Sequence, residues 1–155
     1  MSFNRWASEE PRDLPRVPAR RTAIVTCMDA RIDPLAALGM HLGDAHVIRN
    51  AGALVTDDTI RSLAISQRML RTSAVVVMGH TDCGLEGLDD SEALEAIAAT
   101  ADQTPPWRPG GFADLDEHVR ESVRLIRKSA FIPNRDDVRG FIHDVGIGGG
   151  IREVT

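Results

Sequence analysis

Three side chains in this sequence could together bind a metal ion: Cys27, His80 and Cys83. His80 and Cys83 form a His-x-x-Cys pair, so two ligands lie on one short turn and little conformational entropy is lost in bringing them together. Cys27 is distant in the sequence and must be delivered by the fold. Two thiolates and one imidazole suit Zn²⁺ better than Mg²⁺ or Ca²⁺. A Cys₂His set also leaves a fourth position open for water, as catalytic zinc sites do.

The two cysteines also have a simpler interpretation, as buried thiols or as one disulfide. A His-x-x-Cys pair alone is weak evidence for a metal site. Disulfides are rare in the cytoplasm, where we expect this chain to act. Two cysteines with a histidine close to one of them therefore favour metal ligands over a crosslink.

The residues that follow Cys27 strengthen the metal interpretation. Asp29 and Arg31 are two positions apart, so in an extended segment they share a face and can form a bidentate, charge-assisted contact. Beside a metal, this contact would keep Asp29 ionised and aimed at a metal-bound hydroxide. Alternatively, Asp29 could swing onto the metal and close its fourth position. A solvated surface ion pair is the ordinary alternative, and the position next to a ligand argues against it.

Secondary structure must position these residues, and the chain alternates two kinds of pattern. Short apolar, β-branched runs such as 74–78 (AVVVM) are typical of buried parallel strands. Segments with apolar residues at helical spacing lie between them. The patterns predict strands at 22–27, 45–49, 74–78 and 138–145, a short edge strand at 151–154, and helices at 34–40, 56–70, 91–100 and 113–129.

Strands that are separated by helices predict an α/β domain with a mainly parallel sheet. Sites in such sheets form beyond the carboxyl ends of the strands. Cys27 ends the first predicted strand, and His80 and Cys83 follow the third. A sheet with these two strands side by side would therefore bring the three residues together.

Two motifs in this chain resemble the paired signature of the β-class carbonic anhydrases, in their short bacterial and mycobacterial form. The motifs are CMDAR at 27–31 and HTDCG at 80–84. The segment RNAG at 49–52 is similar to the family's loop after the second strand. The resemblance extends over roughly residues 20–155.

This resemblance implies a four-stranded, mainly parallel sheet with an antiparallel edge strand, flanked by helices. It implies one Zn²⁺ per chain, with carbon dioxide and bicarbonate as the substrates. It also implies a homodimer or a dimer of dimers, in which an arm of residues 1–20 packs on the neighbouring subunit. The site residues that it implies are the zinc ligands Cys27, His80 and Cys83, the catalytic Asp29 and Arg31, and Gly52 in a loop near the substrate.

The expected activity is the reversible hydration of carbon dioxide to bicarbonate and a proton, which is a lyase reaction. Zinc lowers the pKa of bound water toward ~7, and zinc-bound hydroxide, oriented by Asp29 and Arg31, would attack carbon dioxide. Two alternatives stay open. One is a differently specific enzyme on the same fold, such as a carbon disulfide hydrolase. The other is a non-catalytic zinc protein in which Asp29 permanently fills the fourth position.

Length and composition limit the other possibilities. The chain has 155 residues, which suits one domain, and we divide it into an N-terminal arm, residues 1–20, and a single domain, residues 21–155. The net charge of −5 argues against nucleic acid as a partner. No apolar run reaches the ~20 residues of a membrane span, and the N-terminus lacks the apolar stretch of a signal peptide. We therefore expect a cytoplasmic protein without a nucleic-acid or membrane partner.

Overall fold

In the computed structural model, which describes residues 13–101 and 103–154, five strands form one β-sheet. The strands are β1 (Thr22–Cys27), β2 (Ala45–Asn50), β3 (Ala74–His80), β4 (Val138–His143) and β5 (Ile151–Val154). They lie in the order β2-β1-β3-β4-β5, and all neighbours are parallel except the antiparallel pair of β4 and β5. The predicted α/β class is confirmed, and the sheet has five strands once the antiparallel edge strand is counted.

Strand β1 lies inside the parallel part of the sheet and determines where the site forms. Its six residues are all buried, as expected for an apolar, β-branched run that is covered on both faces. It pairs in parallel with β2 on one side and with β3 on the other. The carboxyl ends of β1 and β3 are therefore neighbours, which confirms the expected adjacency of Cys27 and His80.

The described part of the chain has four α-helices, and a polar residue caps the start of each of them. The helices are α1 (Pro34–Ala37), α2 (Asp57–Leu70), α3 (Asp90–Ala101) and α4 (Leu115–Lys128). Backbone N–H groups at the starts of α1, α2, α3 and α4 donate to the side chains of Asp33, Thr56, Asp89 and Asp114, respectively. These hydrogen bonds satisfy donors that a helix leaves free. Among these helices, none has the length and hydropathy of a membrane span.

Three elements end two or more residues away from their predicted ends. Helix α1 ends at Ala37 rather than at 40, because Gly39 adopts a left-handed conformation with φ of +63°. Strand β3 continues through His80 rather than ending at 78, since its last residues pair with β4. Strand β4 ends at His143 rather than at 145, because the Val145 N–H donates to a threonine hydroxyl. The other elements agree with the prediction to within two residues.

Side chains alternate between the two faces of the sheet, and each face has its own core. Val25 points to the face that α2 and α4 cover, where it packs with Leu63 and Val119. Ile24, one position earlier, belongs to the second core, which also contains Cys27 and Cys83. The opposite placement of Val25 and Ile24 is the period of two that strands impose. Cys27, the last residue of β1, and Cys83, which lies beyond β3, both pack in the second core.

The predicted N-terminal arm is described in part. Residues 1–12 lie outside the described residues. Residues 13–20 run beside the turn that precedes β2, where the N–H groups of Ala19 and Arg20 donate to the carbonyls of Gly43 and Asp44. This part of the arm therefore contacts its own chain.

Glycines in β3 and β4 allow α4 to pack close to the sheet. A Cβ atom at Gly140 would lie 2.7 Å from Val119 Cγ1, and one at Gly79 would lie 2.8 Å from Val119 Cγ2. Protein cores are packed too densely to accept an added methyl group at such distances without movement. The packing of α4 therefore depends on the absence of side chains at these two positions.

We expect Gly140→Ala to lower the free energy of unfolding by about 1–3 kcal/mol, because the added methyl group overpacks the contact with α4. Gly150→Ala is the matched control, since a Cβ there would meet no atom within 4 Å, and it should change stability by less than about 0.5 kcal/mol. Urea denaturation followed by circular dichroism measures both. Equal unfolding free energies for the two variants would contradict this account of the packing.

Candidate metal centre

The three predicted ligands converge at the carboxyl ends of β1 and β3. The ligand atoms of Cys27, His80 and Cys83 all lie within 4.8 Å of one another, and the three residues are buried. Cys27 is the last residue of β1, His80 is the last residue of β3, and Cys83 follows in a turn. Both cysteines are free thiols. The spacing is compatible with one zinc ion, which binds thiolates at about 2.3 Å and imidazole at about 2.0 Å.

A hydrogen bond fixes the tautomer of His80. Its Nδ1 lies 2.9 Å from the Thr81 carbonyl oxygen, which can only accept, so Nδ1 carries the proton. Nε2 then presents a lone pair, and this atom is buried without a hydrogen-bond partner. Burial also lowers the pKa of the ring, which favours the neutral form that binds metals. An unpartnered buried nitrogen costs free energy, and a metal ion would satisfy it.

The two thiols fit the same interpretation. Burial raises the pKa of the Cys83 thiol above its ordinary value, and the neighbouring Cys27 raises it further. Two thiolates side by side in a buried site repel each other, so a divalent cation is needed to keep both ionised. The donor set therefore fits zinc, which binds deprotonated cysteine together with neutral histidine.

Asp29 and Arg31 form the predicted pair beside the ligands. Arg31 Nε donates to Asp29 Oδ1 at 3.0 Å, and a terminal guanidinium nitrogen donates to Oδ2 at 2.7 Å. These hydrogen bonds, with one from the Arg31 backbone N–H, hold the pKa of the Asp29 carboxyl well below its usual range. Asp29 Oδ2 lies 4.0 Å from His80 Nε2, and the Asp29 side chain is 17% exposed. Asp29 therefore borders the ligand group, while Arg31, with 47% of its side chain exposed, lies on the outer side of the pair.

Sequence reasoning missed Arg49, which fixes the loop that follows β1. Its guanidinium donates to three backbone carbonyls, those of Cys27 at 3.0 Å, Asp29 at 2.6 Å and Ile32 at 3.2 Å. These contacts hold the segment that contains Cys27, Asp29 and Arg31 against β2. A signal was present in the sequence, because an arginine at the end of an otherwise apolar strand needs acceptors, and a loop at the same edge of the sheet supplies them.

Gly52 lies against the turn that carries Cys83. Its φ is +72°, and a Cβ there would come within 2.7 Å of Leu85 Cδ2, so the position requires glycine. His118 Nε2 donates to the Gly52 carbonyl at 2.7 Å, and the His118 ring stacks on Phe112 with the centroids 4.1 Å apart. These contacts bring the loop after β2 next to the ligand turn. A contact between Gly52 and substrate stays a prediction.

Comparisons with known proteins agree with this geometry. The family model described as carbonic anhydrase matches residues 22–139, which is more than half of the chain. The chain belongs to the carbonic anhydrase family. It is 45% identical over 150 residues to β-carbonic anhydrase 1 of Mycobacterium tuberculosis (strain H37Rv), a match that covers 97% of this chain and 91% of that protein. The crystal structure of carbonic anhydrase from Streptococcus mutans matches with a TM-score of 0.87 and 44% identity, over 94% of this chain and 88% of that one.

These relatives place the chain in the β class, whose members are zinc enzymes, and assign it the reversible hydration of carbon dioxide. The group of Cys27, His80 and Cys83 could bind one such ion. A carbon disulfide hydrolase from Saccharolobus solfataricus is 48% identical over 150 residues, but that match covers only 81% of this chain and 74% of that enzyme. The more complete match to carbonic anhydrases means that the carbon disulfide alternative is not favoured.

We predict that His80→Gln abolishes stoichiometric zinc binding, because two ligands hold the ion far less tightly than three. The purified wild-type protein should carry one zinc per chain, and the variant about a tenth of that or less. His41→Gln is the matched control, since the side chain of His41 is 87% exposed and makes no contact with the ligand group. Atomic emission spectroscopy measures the metal content. Zinc at wild-type stoichiometry in His80→Gln would refute the ligand assignment.

Proposed function

We propose that Cys27, His80 and Cys83 hold the zinc ion of this carbonic anhydrase and that Asp29 and Arg31 are its catalytic pair. The reaction adds water to carbon dioxide and yields bicarbonate and a proton. When bound, zinc supplies a nucleophile at neutral pH, because it lowers the pKa of a coordinated water toward ~7. Side chains of this protein orient that nucleophile and keep Asp29 ionised.

Asp29 supplies the orientation. Its Oδ2 accepts a hydrogen bond from Arg31 and lies 4.0 Å from His80 Nε2, so it retains acceptor capacity beside the ligand atoms. An ionised carboxylate at this point accepts a hydrogen bond from the attacking oxygen and turns a lone pair of that oxygen toward carbon dioxide. Arg31 keeps the pKa of Asp29 low, so Asp29 acts as an acceptor at neutral pH. A fixed, ionised carboxylate beside three buried ligand atoms is the observation that carries this proposal.

Stopped-flow measurement of carbon dioxide hydration by the zinc-loaded protein at pH 7 and pH 8.5 tests the proposal. We expect turnover at both pH values. Zinc-loaded protein that is inactive at both would overturn the proposal in favour of a non-catalytic zinc protein. Activity at pH 8.5 alone would indicate that Asp29 occupies the fourth metal position at neutral pH and leaves it at higher pH.

Asp29→Asn should retain one zinc per chain and lose about 10- to 100-fold in kcat/KM, because a neutral amide pairs poorly with Arg31 and orients the nucleophile less well. Asp116→Asn is the matched control, since Asp116 also accepts two hydrogen bonds from an arginine, Arg152, but lies on α4. The control should turn over at the wild-type rate. Near-normal turnover in Asp29→Asn would rule out the role given to Asp29.

We also propose that residues 21–155 form a single domain preceded by an arm, residues 1–20, and that the protein acts in the cytoplasm on carbon dioxide and bicarbonate. One sheet with a core on each face, formed by the described residues, supports the single domain. The free thiols of Cys27 and Cys83 suit a reducing compartment.

We further propose a homodimer whose subunits meet through the outer face of α2. Ile65 is 42% exposed on this face, Met69 is 71% exposed, and Phe131 beside it is 69% exposed. Ile65 and Phe131 line a cavity of about 500 Å³ that opens on the surface. Clustered exposed apolar side chains mark interaction surfaces, and a second copy of this chain presents a matching face.

Phe131→Asp is expected to convert the dimer to a monomer, because it removes an exposed aromatic ring from the contact surface and puts a charge there that association would have to strip of water. Leu42→Asp is the matched control: Leu42 is 61% exposed, but it lies in the turn before β2. Analytical ultracentrifugation measures the mass of each. A monomeric wild type would overturn the dimer, and a dimeric Phe131→Asp would overturn the choice of surface.

A further inference from the structure

Arg31 has a second carboxylate partner, which links it to the other ligand segment. The guanidinium nitrogen not used by Asp29 donates to Asp82 Oδ2 at 2.7 Å. The nitrogen that donates to Asp29 Oδ2 also donates to the Asp82 backbone carbonyl, at 2.9 Å. Asp82 lies between His80 and Cys83 in the sequence, whereas Asp29 lies two residues after Cys27. The arginine therefore spans both halves of the metal centre.

We propose that Asp82 is a positioning residue that, through Arg31, clamps together the two chain segments that carry the zinc ligands. This inference rests on the proposed zinc site. The three nitrogens of the Arg31 guanidinium group donate to two carboxylates and one backbone carbonyl, across a sequence separation of 51 residues. The planar, rigid fork of arginine suits such a bridge, because its donors are already fixed relative to one another.

The backbone of Asp82 provides an independent reason to assign it a role. Its φ is +55°, a left-handed conformation that glycine adopts freely and that other residues adopt at a cost. Aspartate is among the residues that tolerate it best. A turn that needed only this conformation would be served better by glycine, so the carboxylate has a function that offsets the cost. The contact with Arg31 is such a function.

The exposure of Asp82 limits how strong the clamp can be. Its side chain is 80% exposed, compared with 47% for Arg31 and 17% for Asp29, and exposed ion pairs stabilise little. Arg31 is, however, already oriented by Asp29, so the second contact restricts fewer rotamers than an isolated pair would. We therefore expect loss of the clamp to speed zinc release several-fold while zinc still binds.

Transfer of zinc from the holoprotein to excess EDTA at neutral pH tests the clamp. Asp82→Asn keeps the size of the side chain and removes its charge, and it should release zinc about three- to tenfold faster than the wild type. Asp82→Gly keeps the backbone conformation and removes the carboxylate, and it should release zinc at least as fast. A residue that served only the turn would leave the glycine variant at the wild-type rate. Asp58→Asn is the matched control, since Asp58 is 72% exposed and pairs with Arg61 on α2.

Combining Asp82→Asn with Arg31→Gln tests whether Asp82 affects zinc release through Arg31 or through the conformation of its own turn. If Asp82 acts through Arg31, adding Asp82→Asn to Arg31→Gln should not accelerate release further. The NMR signals of the Arg31 Nη–H groups, which donate to Asp82, give a spectroscopic measure, and their exchange with water should be faster in Asp82→Asn.

Each of four results would overturn the clamp: zinc release at the wild-type rate from Asp82→Asn, release at the wild-type rate from Asp82→Gly, undiminished acceleration in the double variant, or unchanged Nη–H exchange in Asp82→Asn. Carbon dioxide hydration by the wild-type holoprotein is measured in the same preparations. Inactive wild type that still shows the Asp82 effect would overturn the proposed function and leave the clamp standing.

Discussion

Two sulfur atoms that must both be ionised share a buried space with one imidazole nitrogen, and the structure around them depends on how that charge is balanced. Burial raises the pKa of Cys83, and the proximity of Cys27 raises it further, so folding alone does not favour a pair of thiolates. A divalent cation removes this repulsion and also satisfies the unpartnered Nε2 of His80. Metal binding and the local fold therefore support each other.

The parallel pairing of β1 and β3 is how the fold meets this requirement. Because parallel neighbours end at the same edge of a sheet, Cys27 and His80 arrive at one point without a long connecting loop. The loops beyond that edge are held by hydrogen bonds from two side chains outside the ligand set. Arg49 binds the carbonyls after β1, and His118 binds the carbonyl of Gly52. The buried strands give the ligands their position, and these contacts give the loops their shape.

The charged residues Asp29 and Arg31 lie at the edge of the site, outside the buried ligands. Asp29 faces the ligand group, and Arg31 lies on its solvent side with about half of its side chain exposed. The arginine keeps the carboxylate ionised and also reaches Asp82 in the other ligand segment. One guanidinium group thus both lowers the pKa of Asp29 and contacts the second ligand segment.

The sequence by itself determined the chemistry of the site and the class of the fold. His80 and Cys83 are close in the sequence, as are Asp29 and Arg31. Their residue types and separations therefore sufficed to predict a metal site and a charge-assisted contact. The apolar runs likewise specified strands and helices, with errors of a few residues where turns and pairing set the ends. Only the tertiary structure decided the order of the strands, because buried apolar runs are nearly interchangeable as pairing partners. It also decided the contacts of Arg49, Asp82 and His118, whose partners lie 17 to 66 residues away. A sequence pattern can indicate that a residue such as Arg49 needs acceptors, but it does not identify the partners, since these contacts exist only after the sheet has brought distant backbone segments to the same edge.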